Sequence, residues 1–326
     1  MKIINLTETN PYLNLAIEEY LFLNSTEDVF MLWQNSPTVV IGKNQNVYNE
    51  IDFDFLKSKD ILIARRITGG GAVYHDSGNL NFSFISVEDS GENKRTLDFS
   101  HFTELIIEAL NSFGIDAKLS GRNDILVNER KISGNAQCTK KGRVLHHGTL
   151  LYNTDFSVLS SVLKPDEKKI QSKAIKSVKS RVANISEFLS AKPSVEKFKE
   201  MLLNFVAEKL NSIPVDIKLN GEILELSKRN SSPEWIFSDR DFVSKYTVNK
   251  SERFSFGSVE VHLLMKNDLI EDVRISGDFF EILPISDLEK KLSGKRISSL
   301  ASSEIHPSEF IFGISDEVFF KTFFQI

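Results

Sequence analysis

Apolar residues recur at helical spacing near the start of the chain. Five of them share one helical face: Leu13, Ala16, Ile17, Tyr20 and Leu21. Asn10 suits the N-cap and Pro11 the first helical position, where a missing N–H group costs nothing. This pattern predicts an amphipathic helix, with Glu18 and Glu19 on its opposite side.

The same periodicity predicts three further helices. One covers residues 99–113, where Phe, Leu, Ile and Ala recur on one face, and Gly114 suits its C-terminal cap. The other two are expected at about 194–211 and 219–229.

Short apolar runs with β-branched or aromatic residues predict strands at 30–33, 38–41, 61–64 and 144–152. Residues 79–84 alternate strictly between polar and apolar positions. Leu80, Phe82 and Phe84 are expected to face the core, and the other three to face outward: Asn79, Asn81 and Ser83. The alternation therefore predicts a half-buried strand.

A hairpin is predicted at 125–134, with its turn at Asn128 and Glu129. Strand alternation puts Lys131 and Ser133 on one face and Ile132 on the other. Beyond residue 246 the chain alternates again, which predicts a small α+β unit. We therefore expect two domains, residues 1–246 and 247–326.

Composition narrows the class of protein. The 326 residues are 41 % hydrophobic and 26 % charged, as in globular proteins, and 25 of them are Phe. The net charge of −5 argues against a broadly basic nucleic-acid or membrane binder. The single cysteine, Cys138, excludes an intramolecular disulfide and a cysteine-rich zinc site. With no signal peptide or apolar membrane span in the sequence, we expect a cytoplasmic protein.

Three consecutive glycines, 69–71, follow a predicted strand. Glycines let a backbone approach a ligand and direct its N–H groups at an anion. Arg65 and Arg66 precede the loop, and His75 with Asp76 follows it, so cationic side chains are expected nearby. The spacing is that of neither the dinucleotide fingerprint nor the P-loop. A phosphate or carboxylate site and a plain tight turn both remain open.

Other candidates carry a weaker signal. Lys131 is either a ligand-facing or a solvated lysine. His146 and His147 are adjacent on a strand and face opposite sides, which disfavours a shared metal ion. Cys138 is more simply a small buried thiol than a nucleophile. Residues 164–181 carry seven Lys or Arg against Asp166 and Glu167, as either a solvated face or a loop that steers an acidic partner.

Several strings together resemble the lipoate–protein ligase A family. In chain order they are NLAIEE at 14–19, VVIGKNQN at 39–46, RRITGGGAVYHD at 65–76, ND at 123–124, KISGNA at 131–136, HGTLL at 147–151 and SVKSRV at 177–182. Residues from Trp235 onward resemble the family's small C-terminal domain. Their joint order and spacing are far more specific than any one string.

The resemblance implies an α+β fold: a biotin/lipoate ligase-type catalytic domain, built on a mixed β-sheet with packed helices, and a small α+β accessory domain. It implies a two-step reaction in which ATP and lipoate give lipoyl-AMP, and the lipoyl group then passes to a lysine. Acceptors would be lipoyl domains of 2-oxoacid dehydrogenase acyltransferase subunits and the glycine cleavage H protein. Mg²⁺ would accompany ATP, with no metal site made by the protein alone.

By position, the resemblance also implies the site. Lys131 would act as the catalytic residue by bridging the carboxylate and the α-phosphate. Nucleotide contacts would come from Arg66, Gly71, Ala72, Val73 and Tyr74. Pocket positions would be His75, Asp124, Ser133, Gly134, His147, Gly148 and Thr149. Asp124 is a candidate to orient the acceptor amine, and the Phe-rich sheet is expected to enclose the lipoyl tail.

Two alternatives stay open. A transferase of the same fold would carry the acyl group on Cys138 and need no ATP. A non-catalytic scaffold would bind lipoyl groups without turnover. A biotin ligase is disfavoured, since its glycine loop has a different Gly and Arg pattern.

Overall fold

A computed structural model describes residues 1–87, 97–121, 123–163, 181–238, 243–300 and 302–325. The predicted basic segment 164–181 therefore lies outside the described residues, except for Arg181. Among the described residues, no helix is both long and apolar enough to cross a membrane. The cytoplasmic location stays a prediction.

A mixed sheet forms the centre of the larger unit. Its described strands are β1 (Lys2–Asn5), β2 (Val29–Trp33), β6 (Asn79–Val87), β7 (Lys118–Ser120), β8 (Asp124–Val127), β9 (Arg130–Lys140), β10 (Arg143–Leu151) and β11 (Pro214–Val215). They lie in the order β11-β1-β2-β6-β10-β9-β8-β7. β1 pairs in parallel with β2 and β11, and β10 pairs antiparallel with β6 and β9. The predicted α+β class with a mixed sheet is confirmed.

Helices cover both faces of this sheet. The described helices of the larger unit are α1 (Pro11–Asn24), α2 (Val47–Glu50), α3 (Phe53–Ser58), α4 (Phe99–Ser112), α5 (Phe156–Val162), α6 (Val195–Lys209), α7 (Gly221–Asn230) and α8 (Pro233–Phe237). Of these, α1, α4 and α6 lie against the mixed sheet. Helices α4 and α6 pack into one core cluster with Phe82 and Phe84, and α1 packs into another with Met31 and Trp33. The predicted helices α1, α4, α6 and α7 are confirmed.

Two predictions about burial are wrong. Helix α1 covers the polar face of β6, so Asn79, Asn81 and Ser83 are buried rather than outward-facing. Glu18, predicted on the outer side of α1, faces this same layer and is 1 % exposed. Glu19, also predicted on the outer side, is 7 % exposed because it pairs with Arg229 of α7. The layer between α1 and the sheet is therefore partly polar.

A second, three-stranded sheet carries the glycine loop. It comprises β3 (Thr38–Ile41), β4 (Leu62–Arg65) and β5 (Val73–His75), with β3 in the middle. The loop connects β4 to β5, and both of these strands pair with β3. The ends of the loop are thereby fixed.

The C-terminal part has a core of its own. Strands β12 (Val248–Phe254), β13 (Gly257–Lys266) and β14 (Leu269–Gly277) form an antiparallel meander. Helices α9 (Ile285–Leu292), α10 (Ile297–Leu300) and α11 (Asp316–Phe324) accompany it, and the cluster contains Phe279, Phe310, Phe319 and Phe323. The boundary between residues 246 and 247 stays a prediction.

Candidate active site

A cavity of about 630 Å³, its mouth included, lies where the glycine loop meets β9 and β10. Ten of the predicted site residues line it: Arg66, Gly71, Ala72, Val73, His75, Lys131, Gly134, His147, Gly148 and Thr149. The fold thus brings together residues from three distant stretches of the sequence.

The mouth of the cavity carries one opposed pair of charges. Lys131 Nζ lies 2.7 Å from Asp124 Oδ1, and the two side chains are 36 % and 34 % exposed. The predicted hairpin explains this contact, since Asn128 and Glu129 adopt positive φ angles at its turn and β8 pairs with β9. Lys131 therefore has a partner that a charged ligand can replace.

The glycine loop is held from beneath by Arg66. Its Nη1 donates to Val40 O at 3.1 Å, and its Nη2 donates to Gly69 O and Gly71 O at 2.7 and 2.8 Å. Burial lowers the pKa of Arg66 to about 10, which leaves the guanidinium charged at neutral pH. A buried positive charge thus lies directly under the loop.

The expectation that Arg65 and His75 supply further positive charge is wrong. The Arg65 side chain turns away and donates to the backbone carbonyl oxygens of Gln45 at 2.8 Å and Ile236 at 2.8 Å. Burial is the main cause that lowers the pKa of His75 to about 3, so its imidazole is neutral. Its Nδ1 lies 3.1 Å from Asn35 Nδ2. Arg66 is therefore the cation that the RR pair contributes to the cavity.

The two adjacent histidines face opposite sides of β10, as predicted. His147 lines the cavity, whereas His146 packs among aromatic rings, with its ring centroid 5.2 Å from that of Phe102. Burial lowers the pKa of His146 to about 3. Within the described ranges, no group of three or more His, Cys, Asp or Glu residues could hold a metal ion.

Small residues let β9 and β10 approach each other behind the cavity. A Cβ atom on Gly148 would lie 2.2 Å from Asn135 Oδ1 and 2.5 Å from the Phe82 ring. The Gly134 N–H donates to Thr149 Oγ1 at 3.3 Å. These glycines therefore serve the packing of the wall.

Two predicted residues lie behind the lining. Ser133 is fully buried, and its hydroxyl accepts from Asn135 Nδ2 at 3.3 Å. Tyr74 packs its side chain into a separate cluster with Val39 and Ile41, and burial raises its pKa to about 12. Any ligand contact by Tyr74 would therefore come from its backbone.

Cys138 is buried on β9. Burial raises the pKa of its thiol far above the usual range, so the nucleophilic thiolate is not formed at neutral pH. This placement favours the small buried thiol over the acyl-carrying nucleophile.

The C-terminal part packs against the glycine loop. The Gly70 N–H donates to Phe279 O at 3.2 Å, so this N–H is not directed at the cavity as expected. The Phe280 ring contacts Phe99, with centroids 5.3 Å apart, and Glu281 pairs with Lys43. The loop is thereby enclosed between Arg66 and the C-terminal part.

Some lining residues were missed by sequence reasoning. Leu15, Trp33, Val40 and Asn81 line the cavity from α1, β2, β3 and β6. The sequence pattern marks Leu15, Trp33 and Val40 as ordinary core residues, and it marks Asn81 as an exposed residue. Three of the four give the inner part of the cavity an apolar wall.

Two family models match the chain. The lipoyl protein ligase A/B catalytic domain matches residues 10–207, and the bacterial lipoate protein ligase C-terminus matches residues 244–310. Lipoate-protein ligase LplJ of Bacillus subtilis is 43 % identical over 296 residues, covering 88 % of this chain and 87 % of that protein. Lipoate–protein ligase 1 of Staphylococcus aureus is 41 % identical over 293 residues, with coverage of 88 % and 87 %.

Solved structures give the same picture. LipL1 of P. falciparum in complex with lipoate has a TM-score of 0.73 at 30 % identity, covering 90 % of each chain. A bi-partite ligase from Thermoplasma acidophilum, described with its E2 lipoyl domain, has a TM-score of 0.63 at 30 % identity, covering 76 % of this chain and 98 % of that one. A lipoate-protein ligase A bound with ATP has a TM-score of 0.59 at 28 % identity, with coverage of 72 % and 98 %.

Proposed function

The chain belongs to the lipoate–protein ligase A family, and we propose that it joins lipoate to AMP in the cavity between the glycine loop and β9. It is a ligase enzyme that uses ATP. The observation that carries the assignment of the site is Lys131 Nζ at the mouth, paired with Asp124 at 2.7 Å and facing the same cavity as Arg66.

In the first step a carboxylate oxygen of lipoate attacks the α-phosphorus of ATP. The new O–P bond gives lipoyl-AMP, and pyrophosphate leaves with the electron pair of the broken bond. No general base is required, because the carboxylate is already ionised at neutral pH. The obstacle is repulsion between two anions. The Lys131 ammonium leaves Asp124, binds both the lipoate carboxylate and the α-phosphate, and holds these two anions in contact.

The acyl tail occupies the apolar part of the cavity. Leu15, Trp33 and Val40 are each at most 5 % exposed. Burying the methylenes of an eight-carbon acid there contributes about 0.8 kcal/mol each. The carboxylate of lipoate then lies towards the charged mouth.

Mg²⁺ is part of the proposal as a partner of ATP. It supplies charge neutralisation on the phosphates when bound. Asp124 is a carboxylate at the mouth, 2.7 Å from Lys131 Nζ. Asp124 would hold the ion once Lys131 has moved to the substrates.

The second step transfers the lipoyl group to a lysine of an acceptor protein. The acceptor ammonium first loses a proton to solvent, and Asp124, exposed at the mouth, orients the resulting amine. The amine nitrogen attacks the acyl carbon, and the bond from that carbon to the phosphate oxygen breaks. AMP leaves with the electron pair of that bond, and the nitrogen releases its second proton to solvent. Proposed acceptors are lipoyl domains of 2-oxoacid dehydrogenase acyltransferase subunits and the glycine cleavage H protein.

Exchange of labelled pyrophosphate into ATP tests this function. The purified chain is expected to catalyse exchange only when lipoate is present. Lipoate binding without exchange would instead indicate a scaffold. Acyl transfer without ATP, lost in Cys138→Ser, would indicate the thioester route.

A further inference from the structure

A buried carboxylate lies just behind the cavity. Glu18 on α1 is 1 % exposed, and its Oε1 accepts from Ser83 Oγ at 2.5 Å. The same oxygen lies 2.8 Å from Nδ1 of His147, which lines the cavity. Glu18 itself is not among the residues that line it.

The contact continues from His147 to the glycine loop. His147 Nε2 lies 2.8 Å from Thr68 Oγ1, and Thr68 Oγ1 accepts from Arg66 Nε at 3.0 Å. A carboxylate only accepts hydrogen bonds, so the tautomer that satisfies both contacts carries the ring hydrogen of His147 on Nδ1 and donates it to Glu18. Nε2 of the ring then accepts the hydroxyl hydrogen of Thr68. Every group in the series has a partner.

The two ends of this series have opposite charges. Arg66 is 6 % exposed and is held under the loop by its bonds to the carbonyl groups of Gly69 and Gly71. A buried charge without a counter-charge is strongly destabilising. Glu18 is the acidic group whose charge favours the ionised form of Arg66. The position of the loop is therefore coupled to a glutamate on α1.

We propose that Glu18 is a positioning residue for nucleotide binding. Through His147 and Thr68 it holds the Arg66 guanidinium, and with it the 69–71 loop, in the conformation that receives ATP. This inference rests on the proposed function of the cavity. It assigns a role to a residue that touches neither substrate.

The neighbouring glutamate provides a matched control. Glu19 is also buried, but it pairs with Arg229, whose Nη1 lies 3.0 Å from Glu19 Oε1. Arg229 does not line the cavity. Glu18→Gln is expected to lower kcat/KM for ATP in pyrophosphate exchange by on the order of 10- to 100-fold, as for a lost charged hydrogen bond. Glu19→Gln should alter this value by no more than about twofold.

Thr68 tests the series without removing a charge. Thr68→Val keeps the shape but loses the hydroxyl, and is expected to raise the KM for ATP about tenfold. Thr68→Ser keeps the hydroxyl and should keep the KM for ATP close to the wild-type value. If Thr68→Val leaves the KM for ATP unchanged and Thr68→Ser raises it, Thr68 contributes only to packing, and the proposal is overturned.

A measurement independent of activity keeps the two claims separate. The ¹⁵N signals of His147, identified by their loss in His147→Gln, should show hydrogen on Nδ1 and none on Nε2. A protein without exchange activity but with this tautomer would refute the proposed function and leave the hydrogen-bonded series intact. Hydrogen on Nε2, or equal ATP kinetics in Glu18→Gln and wild type, would overturn the role of Glu18.

Discussion

The mouth of the cavity and its inner wall each contain a positive and a negative side chain. The pair at the mouth is partly exposed, whereas the pair in the wall is buried. At the mouth, Lys131 and Asp124 are each about one-third exposed and touch directly. In the wall, Glu18 and Arg66 are buried and are connected through His147 and Thr68. An exposed pair contributes about 0–1 kcal/mol and exchanges partners readily. Removing one member of a buried pair leaves an uncompensated charge and strongly destabilises the fold. The mouth is thus suited to receive charge and the wall to hold a shape.

Removing the ammonium at the mouth is expected to have the largest effect. Lys131→Met should reduce the rate of pyrophosphate exchange by about 10²–10³-fold, by analogy with deleted oxyanion donors. Thermal stability should change little, because the lost pair is partly exposed. Arg130→Met is the control, since Arg130 pairs with Glu187 at 2.7 Å and does not line the cavity. Equal exchange rates in the two variants would contradict this division of roles.

A rigid wall should not tolerate added volume. Gly148→Ala places a Cβ atom 2.2 Å from Asn135 Oδ1 and is expected to lower the free energy of unfolding by about 1–3 kcal/mol. Gly71→Ala, nearer the mouth, meets no atom closer than 4.0 Å and should leave stability within about 0.5 kcal/mol of wild type. Denaturant unfolding measures both. Comparable losses would show that the loop and the wall are equally packed.

The far side of the wall should be sensitive to acid. Burial lowers the pKa of His146 to about 3, so between that pH and about 6.5 the unfolded chain binds a proton that the folded chain does not. Stability contributed by the neutral ring is present above about pH 6.5 and is lost as the pH falls towards 3. His146→Phe should reduce the slope of unfolding free energy against pH by up to about 1.4 kcal/mol per pH unit in this window. An unchanged slope would mean that His146 protonates freely in the folded protein.

The smallest effect is expected at Cys138, which lies outside the cavity lining. Its buried thiol has a raised pKa and takes no part in the proposed reaction. Cys138→Ser should retain ATP-dependent lipoylation of an acceptor domain at close to the wild-type rate. Loss of acyl transfer in a folded Cys138→Ser protein would restore the thioester route.

The sequence was informative where local chemistry decides the structure. Turn residues Asn128 and Glu129 predict the hairpin that presents Lys131, and the glycines 69–71 predict a loop that is either an anion site or a plain tight turn. Strict alternation also separates His146 from His147 on opposite faces of β10. These features depend on neighbours in the chain, so a single sequence carries them.

The wall was missed because its burial depends on distant elements. Alternation marks Asn81 and Ser83 as polar, but only the packing of α1 shows that they are enclosed. A signal was present in α1 itself, since Asn14 and Glu18 are four residues apart on one helical face, and both are buried. The hydrogen bond between Gly70 and Phe279 could not be predicted from the sequence either, because it joins parts of the chain about 200 residues apart.

A crystal structure of the chain with a non-hydrolysable lipoyl-adenylate analogue would test the central claim most directly. The account predicts that Lys131 Nζ leaves Asp124 and lies within about 3.2 Å of both the acyl carbonyl oxygen and a phosphate oxygen. An ammonium that stays on Asp124, remote from the acyl-phosphate group, would contradict it.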